Sequence, residues 1–277
     1  MILYQAEFYR DGFDGMVMHM LRDILTSSPV DTGHWQAMEG LPMTKTIEMQ
    51  NVCLDYDMPE YVDQLLDEVK PNMPWAEDHF QERVGGDPTN PGEQYMNWPH
   101  WRGGHTKGNL FSHTYQERFW PKTAGRDSEE YFMEGIRYPY GDLQDVVELL
   151  LRQPHTRQAY LPVFFPEDTG SVPQERVPCT LGYHFMVRQE RLHCSYFIRS
   201  CDLLRHFRDD VYLAVRLAQW VRNTCQEQDE KYDAEGFSFW NGTGMGNLMM
   251  VIPSLHIFEA DVPVVERKVR ERSKNKP

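Results

Sequence analysis

With 277 residues, 40% of them apolar and 13% aromatic, the chain has the make-up of one globular domain rather than of a disordered segment. A formal charge of −14 argues against nonspecific nucleic-acid binding, which needs concentrated lysine and arginine, so a phosphate-bearing ligand would be small and held by a few placed cations. Apolar runs of only a few residues leave no membrane-spanning helix and the N-terminus lacks a secretory pattern, so the expectation is a cytoplasmic protein without membrane or nucleic-acid partners.

In chain order, Phe13, Met16, Val17, Met20, Leu21 and Ile24 recur at helical spacing and predict an amphipathic helix within residues 1–26. A Pro- and Gly-containing loop follows, then a strand over TKTIEMQNVCLDY and a short helix from Met58 to Lys70. The segment from Pro74 to Gly104 reads as a short helix ending at Gly85 and Gly86, then a long loop holding Trp98 and Trp101. SHTYQERFW reads as a turn region. Leu143, Val146, Val147, Leu150 and Leu151 give a helix its buried face, and Pro154 ends it.

A strand is expected from Ala159, then a hairpin. Tyr183, Phe185 and Val187 alternate, RQER turns the chain, and Leu192, Cys194, Tyr196 and Ile198 alternate again. Val211, Ala214, Leu217, Ala218 and Val221 mark a helix whose first turn holds Asp209 and Asp210, as the helix dipole favours. GNLMMVIPSLHIF is the last strand, and the basic stretch 266–277 reads as a helix end fraying into a flexible tail.

The five cysteines, Cys53, Cys179, Cys194, Cys201 and Cys225, are odd in number and include no CxxC pair, which argues against a disulfide framework or a zinc ribbon; no metal is expected. Cys179 follows a proline and precedes a strand, either as an inert thiol or, with arginines nearby, as a nucleophile. Arg199, Ser200 and Asp202 form a polar knot after a buried strand. It is either an Arg–Asp pair closing the strand end or an anion grip of guanidinium and hydroxyl donors. His256 within an apolar strand is by itself a satisfied core histidine.

The order of these features resembles the thymidylate synthase superfamily. The resemblance rests on Pro178-Cys179-Thr180, Arg199-Ser200-Cys201-Asp202, Asp210 eleven residues after Arg199, and Ser254-Leu255-His256-Ile257-Phe258, and it covers about residues 137 to 260. It implies a single α+β domain over 1–277, a mixed sheet with helices on one face, and a homodimer packed sheet to sheet. It further implies Cys179 as the thiolate that adds to carbon 6 of a pyrimidine nucleotide, with methylenetetrahydrofolate as the one-carbon donor.

Within the family, an amide at the Asp210 position suits uracil, whereas a carboxylate, which only accepts hydrogen bonds, suits the amino edge of cytosine. Together with Phe207-Arg208-Asp209-Asp210-Val211, this points to the deoxycytidylate (dCMP) 5-hydroxymethylase branch and to phage or bacterial DNA modification. A CMP hydroxymethylase, a thymidylate synthase acting on dUMP and a non-catalytic nucleotide-binding paralogue are the alternatives.

By the same resemblance Glu82 matches the catalytic glutamate, Tyr115 an active-site tyrosine, and Trp98 or Trp101 the wall on which folate stacks. Asp202 matches the folate-facing aspartate, Arg199, Ser200 and Arg157 the phosphate ligands, and His256 the sugar contact. The sequence departs from the pattern at Gln158, where a second phosphate arginine would stand, in the loop Val30-Asp31-Thr32-Gly33, which has no arginine, and at Phe258, in place of a sugar-binding tyrosine.

Overall fold

In the computed structural model, residues 1–32, 45–97, 106–107, 110–111, 113–124, 141–169, 177–229 and 238–274 are described. The elements run β1 (Ile2–Gln5), α1 (Gly12–Ile24), β2 (Pro29–Asp31), β3 (Lys45–Asp57), α2 (Val62–Val69), α3 (Trp75–Val84), α4 (Glu93–Met96), β4 (Thr106–Lys107), β5 (Leu110–Phe111) and α5 (Tyr115–Phe119). They continue α6 (Leu143–Arg152), β6 (Tyr160–Pro162), β7 (Thr180–Arg188), β8 (Arg191–Ile198), β9 (Ser200–Asp202), α7 (Phe207–Asp229), β10 (Gly244–Phe258) and α8 (Val262–Lys274).

One mixed sheet orders its strands β1-β3-β10-β8-β7-β6, with β2 added beside β3 and β9 beside β10, while β4 and β5 form a separate ribbon. The spine is β10, antiparallel to β3 on one side and parallel to β8 and β9 on the other. Because β8 gives way to β9 at Arg199, β10 pairs first with β8 and then places His256 opposite Asp202 and Ser254 opposite Ser200. The β7–β8 hairpin turns on Gln189 and Glu190, both at positive φ (53° and 58°), the left-handed geometry that matches strand twist.

Burial follows the alternation. Phe185, Val187, Leu192, Cys194, Tyr196, Met250 and Ile252 pack inward with α7, whose Val211, Ala214, Leu217, Ala218 and Val221 are all buried. Tyr183 and Tyr196 stack at 4.6 Å across the hairpin. Each fully buried large side chain of this set contributes about 1.5–3 kcal/mol. On the other side of the sheet, His184, Met186, Phe197 and Val251 are half-buried and Met249 is exposed.

Helices dock through ion pairs as well as apolar stripes. Arg216 of α7 makes a two-pronged bond to Glu77 of α3, with Tyr212 Oη donating to the same carboxylate at 2.6 Å. The carboxyl of Glu77 is held below its usual range despite burial, because Arg216 and Tyr212 stabilise the ionised form.

The structure departs from the sequence expectations at several elements. Ile2–Gln5 is a strand, held by parallel pairing with Val52–Asp55. The helix expected from Met58 starts at Val62, and the turn region around Tyr115 holds the short helix α5, opened by a Thr114–Glu117 capping box. The basic tail expected to be loose is helical through Lys274, because Val265 is fully buried and Arg272 pairs with Asp11 at 2.6 Å. No helix among the described residues is long and apolar enough to cross a membrane.

Candidate active site

Three pieces of the fold converge on one cavity of about 200 Å³: the β7 entrance, the β9–α7 corner, and one face of α3 with α5. Among its lining residues are Cys179, Tyr115, Ser200, Asp202, Asp210 and His256. Six of the residues named from the sequence are thus brought together. A larger groove beside β1 and β3, about 730 Å³, is rich in carboxylates, and its described lining residues include neither cysteine nor histidine.

The Cys179 loop is pinned from below. Arg199 N donates to the Cys179 carbonyl at 2.9 Å, while its guanidinium donates to Pro178 O (3.0 Å) and Val177 O (3.2 Å). Arg199 therefore fixes the cysteine's backbone, and it does not line the cavity. Just after Cys179, Thr180 Oγ1 lies 3.0 Å from Tyr115 Oη and 2.9 Å from Tyr196 Oη, a buried hydroxyl chain leading away from the thiol.

At the β9–α7 corner, Asp202 Oδ1 accepts from Leu204 N (2.9 Å) and Arg205 N (3.0 Å), shaping the turn that launches α7. Its Oδ2 is buried with no hydrogen-bond partner, Arg205 Nε standing 3.7 Å away. Burial pushes the Asp202 carboxyl up to about 6. One turn along, Asp210 Oδ2 accepts from the Cys201 thiol at 3.3 Å, and burial raises its carboxyl to about 7, with the thiol bond and the Arg83 charge pulling the other way. Asp209 also lines the cavity and caps the backbone N–H of Asn72 at 2.7 Å. His256 Nδ1 lies 3.4 Å from Ser200 Oγ, and burial depresses its basicity.

Glu82 is placed differently from the sequence expectation. Its carboxylate accepts from the backbone of Glu93 (2.6 Å) and Gln94 (3.3 Å), and it is not among the cavity-lining residues. The physical reason is Gly92: at φ +71° and without a Cβ, which would sit 2.7 Å from Glu82 Oε1, it lets the chain close over the carboxylate. Arg157 is exposed on the loop before β6, its carbonyl 3.0 Å from a ring nitrogen of His184. Trp98 and Trp101 lie outside the described residues.

Sequence reading missed Trp75, His79 and Arg83, which sit four residues apart on α3 and so share one helix face toward the cavity. That spacing was the available signal. Trp75 stacks on His79 at 4.9 Å, and the Arg83 guanidinium lies 4.0 Å over the Tyr115 ring. Among the described residues no group of three or more His, Cys, Asp or Glu side chains is arranged to hold a metal ion.

No protein-family model matches the sequence. Over 158 residues the chain is 28% identical to a deoxyuridylate hydroxymethyltransferase of Bacillus phage SP01, a match covering 56% of this chain and 35%, about a third, of the phage protein. A thermostable thymidylate synthase A from Bacillus subtilis superposes with a TM-score of 0.63 over 93% of this chain and 84% of that one, at 13% identity. The chain thus has the thymidylate synthase fold and is a distant sequence relative of a phage nucleotide hydroxymethyltransferase.

Proposed function

We propose that the protein transfers a one-carbon unit from methylenetetrahydrofolate to carbon 5 of a cytosine nucleotide, dCMP, and hydrates it to the 5-hydroxymethyl product. The observation that carries this reading is that Cys179 and the half-buried Asp210 line the same cavity. The thiolate of Cys179 forms a bond to carbon 6, and the C5=C6 π pair makes carbon 5 nucleophilic. Asp210 reads the base: as a neutral acid it offers one donor to ring N3 and one acceptor for the exocyclic amino group, and when ionised it still accepts from that amino group.

The site for the folate follows from unused hydrogen-bonding capacity. Asp202 Oδ2, buried and without a hydrogen bond, is an acceptor suited to a ring N–H of the folate. When bound, methylenetetrahydrofolate supplies the one-carbon unit. By the resemblance alone, Ser200 and Arg199 are assigned to the phosphate and His256 to the sugar; Ser200 and His256 line the cavity, whereas the Arg199 guanidinium is held on the Pro178 and Val177 carbonyls and would have to turn from them. Two copies pack through the uncovered sheet side carrying Met186, Phe197 and Met249, and exposed Arg157 beside it serves the phosphate of the second copy.

A uracil nucleotide is the second reading, favoured by the name of the phage relative. An Asp210 acid can also complement uracil, accepting from N3–H and donating to O4. Release of tritium from carbon 5 of dCMP, CMP and dUMP with methylenetetrahydrofolate, together with product mass, separates these readings. Fastest release from dCMP with a hydroxymethyl product is expected. Fastest release from dUMP would move the assignment to the uracil branch, and release from none of the three by folded protein would leave a nucleotide-binding protein.

A further inference from the structure

The α3 wall of the cavity carries a buried cation with unused hydrogen-bonding capacity. Arg83 is 7% exposed, and its Nε–H has no hydrogen-bond partner among the described residues. The side-chain hydrogen bond it does make joins Nη2 to His79 Nε2 at 2.8 Å. A guanidinium can only donate, so His79 accepts through Nε2 and is the neutral Nδ1–H tautomer. Burial reinforces that state by holding His79 well below its ordinary pKa. Among the described residues no carboxylate forms a direct ion pair with Arg83, and Asp209 and Asp210 feel its charge only at longer range, so a ligand can still bring it a close negative charge.

Its surroundings say which charge that is. Among the described residues that line the cavity Arg83 is the one lysine or arginine, beside three carboxyls, Asp202, Asp209 and Asp210. Its guanidinium carbon stands 4.0 Å over the ring of Tyr115, whose hydroxyl is 3.0 Å from Thr180, the residue after Cys179. By contrast the Glu82 carboxylate is engaged by two backbone N–H groups, and its Oε2 is 3.8 Å from His79 Nδ1, too far to hydrogen-bond.

We propose that Arg83, aligned by His79, is a catalytic residue that neutralises the negative charge spreading over the pyrimidine as Cys179 adds to carbon 6, a part that Glu82 does not play. The proposal rests on the functional reading above. In that step the thiolate pair becomes the S–C6 bond and the C5=C6 π pair moves onto carbon 5 and, by conjugation through carbon 4, onto ring N3 of cytosine or O4 of uracil. No group leaves, and the guanidinium stays protonated throughout. A preorganised donor of this kind is strongest where water is excluded. His79 is a positioning residue, acting only through Arg83.

The test measures carbon-5 tritium release for kcat and KM, with calorimetric nucleotide binding, on the wild type and on R83M, R83Q, R83K, H79L, H79Q and E82Q. By analogy with the loss of one oxyanion donor, R83M and R83Q should lower kcat by about 100-fold or more while nucleotide Kd changes less than about threefold, and R83K should recover about tenfold. H79L should lower kcat by roughly tenfold, and H79Q, whose side-chain carbonyl accepts the same hydrogen bond, should restore it to within about threefold. E82Q should stay within about threefold of wild type. Loss confined to KM in the Arg83 variants, or abolished release in E82Q with R83M active, would overturn the assignment; R83Q stands in if R83M does not fold. A wild type that releases no tritium would instead defeat the functional reading beneath it.

Discussion

Replacing Asp210 with asparagine removes the ionisable group from the cavity while preserving its shape, and the consequence can be worked from burial alone. The carboxyl rises from 3.8 to about 7 because the ionised form is desolvated. The folded protein therefore holds a proton that the unfolded chain has already released. A group with a raised folded pKa stabilises the fold fully only below its unfolded pKa, and that contribution is lost as pH rises toward 7. At about 1.36 kcal/mol per pH unit, the cost of the buried charge grows to roughly 4 kcal/mol above pH 7. The Asp210→Asn variant escapes it, so its stability advantage over wild type should grow from about 1–2 kcal/mol at pH 5 to about 4 kcal/mol at pH 8. Urea unfolding of both proteins across this range measures the difference. A difference that stays flat from pH 5 to pH 8 would refute the reasoning. In the tritium assay the same variant should turn toward dUMP, because a fixed amide complements uracil.

Thr180→Val breaks the hydroxyl chain between Tyr115 and Tyr196, and should cost about 1–3 kcal/mol in denaturant midpoints while lowering kcat. Gly92→Ala forces a Cβ against Glu82 at positive φ and should cost about 1–2 kcal/mol, measured by thermal unfolding; an unchanged Tm would contradict the packing described. Phe185→Ala empties a fully buried site between sheet and α7 and should cost about 3–5 kcal/mol by urea titration. Phe197→Arg on the uncovered sheet side should shift the protein to monomer in sedimentation velocity and lower activity; an unchanged dimer would move the interface elsewhere.

Much of the fold was legible because periodicity reports burial. The alternation of Leu192, Cys194, Tyr196 and Ile198 and the stripe of Leu143, Val146, Val147, Leu150 and Leu151 both survive intact in the structure. What periodicity could not give was placement set by distant partners. Strand β1 exists through pairing with Val52–Asp55, and α8 stays ordered because Val265 finds a buried slot and Arg272 finds Asp11. In the site, the ordered motifs around Cys179, Asp202, Asp210 and His256 marked residues that one cavity gathers, since β9 and β10 hold them in register. Glu82 was matched to the family's catalytic glutamate through the resemblance, and its direction depends on a glycine ten residues away. His79 and Arg83 were passed over because a charged helix face reads as solvated until the fold turns it inward.

The central claim is that Cys179 forms a covalent bond to a pyrimidine nucleotide in this cavity. Incubating the protein with the 5-fluoro analogues of dCMP and dUMP plus methylenetetrahydrofolate, followed by proteolysis and mass spectrometry, tests it directly. A nucleotide adduct on the peptide bearing Cys179, absent from Cys179→Ala, is predicted. No adduct with either analogue, or one that persists in Cys179→Ala, would contradict it.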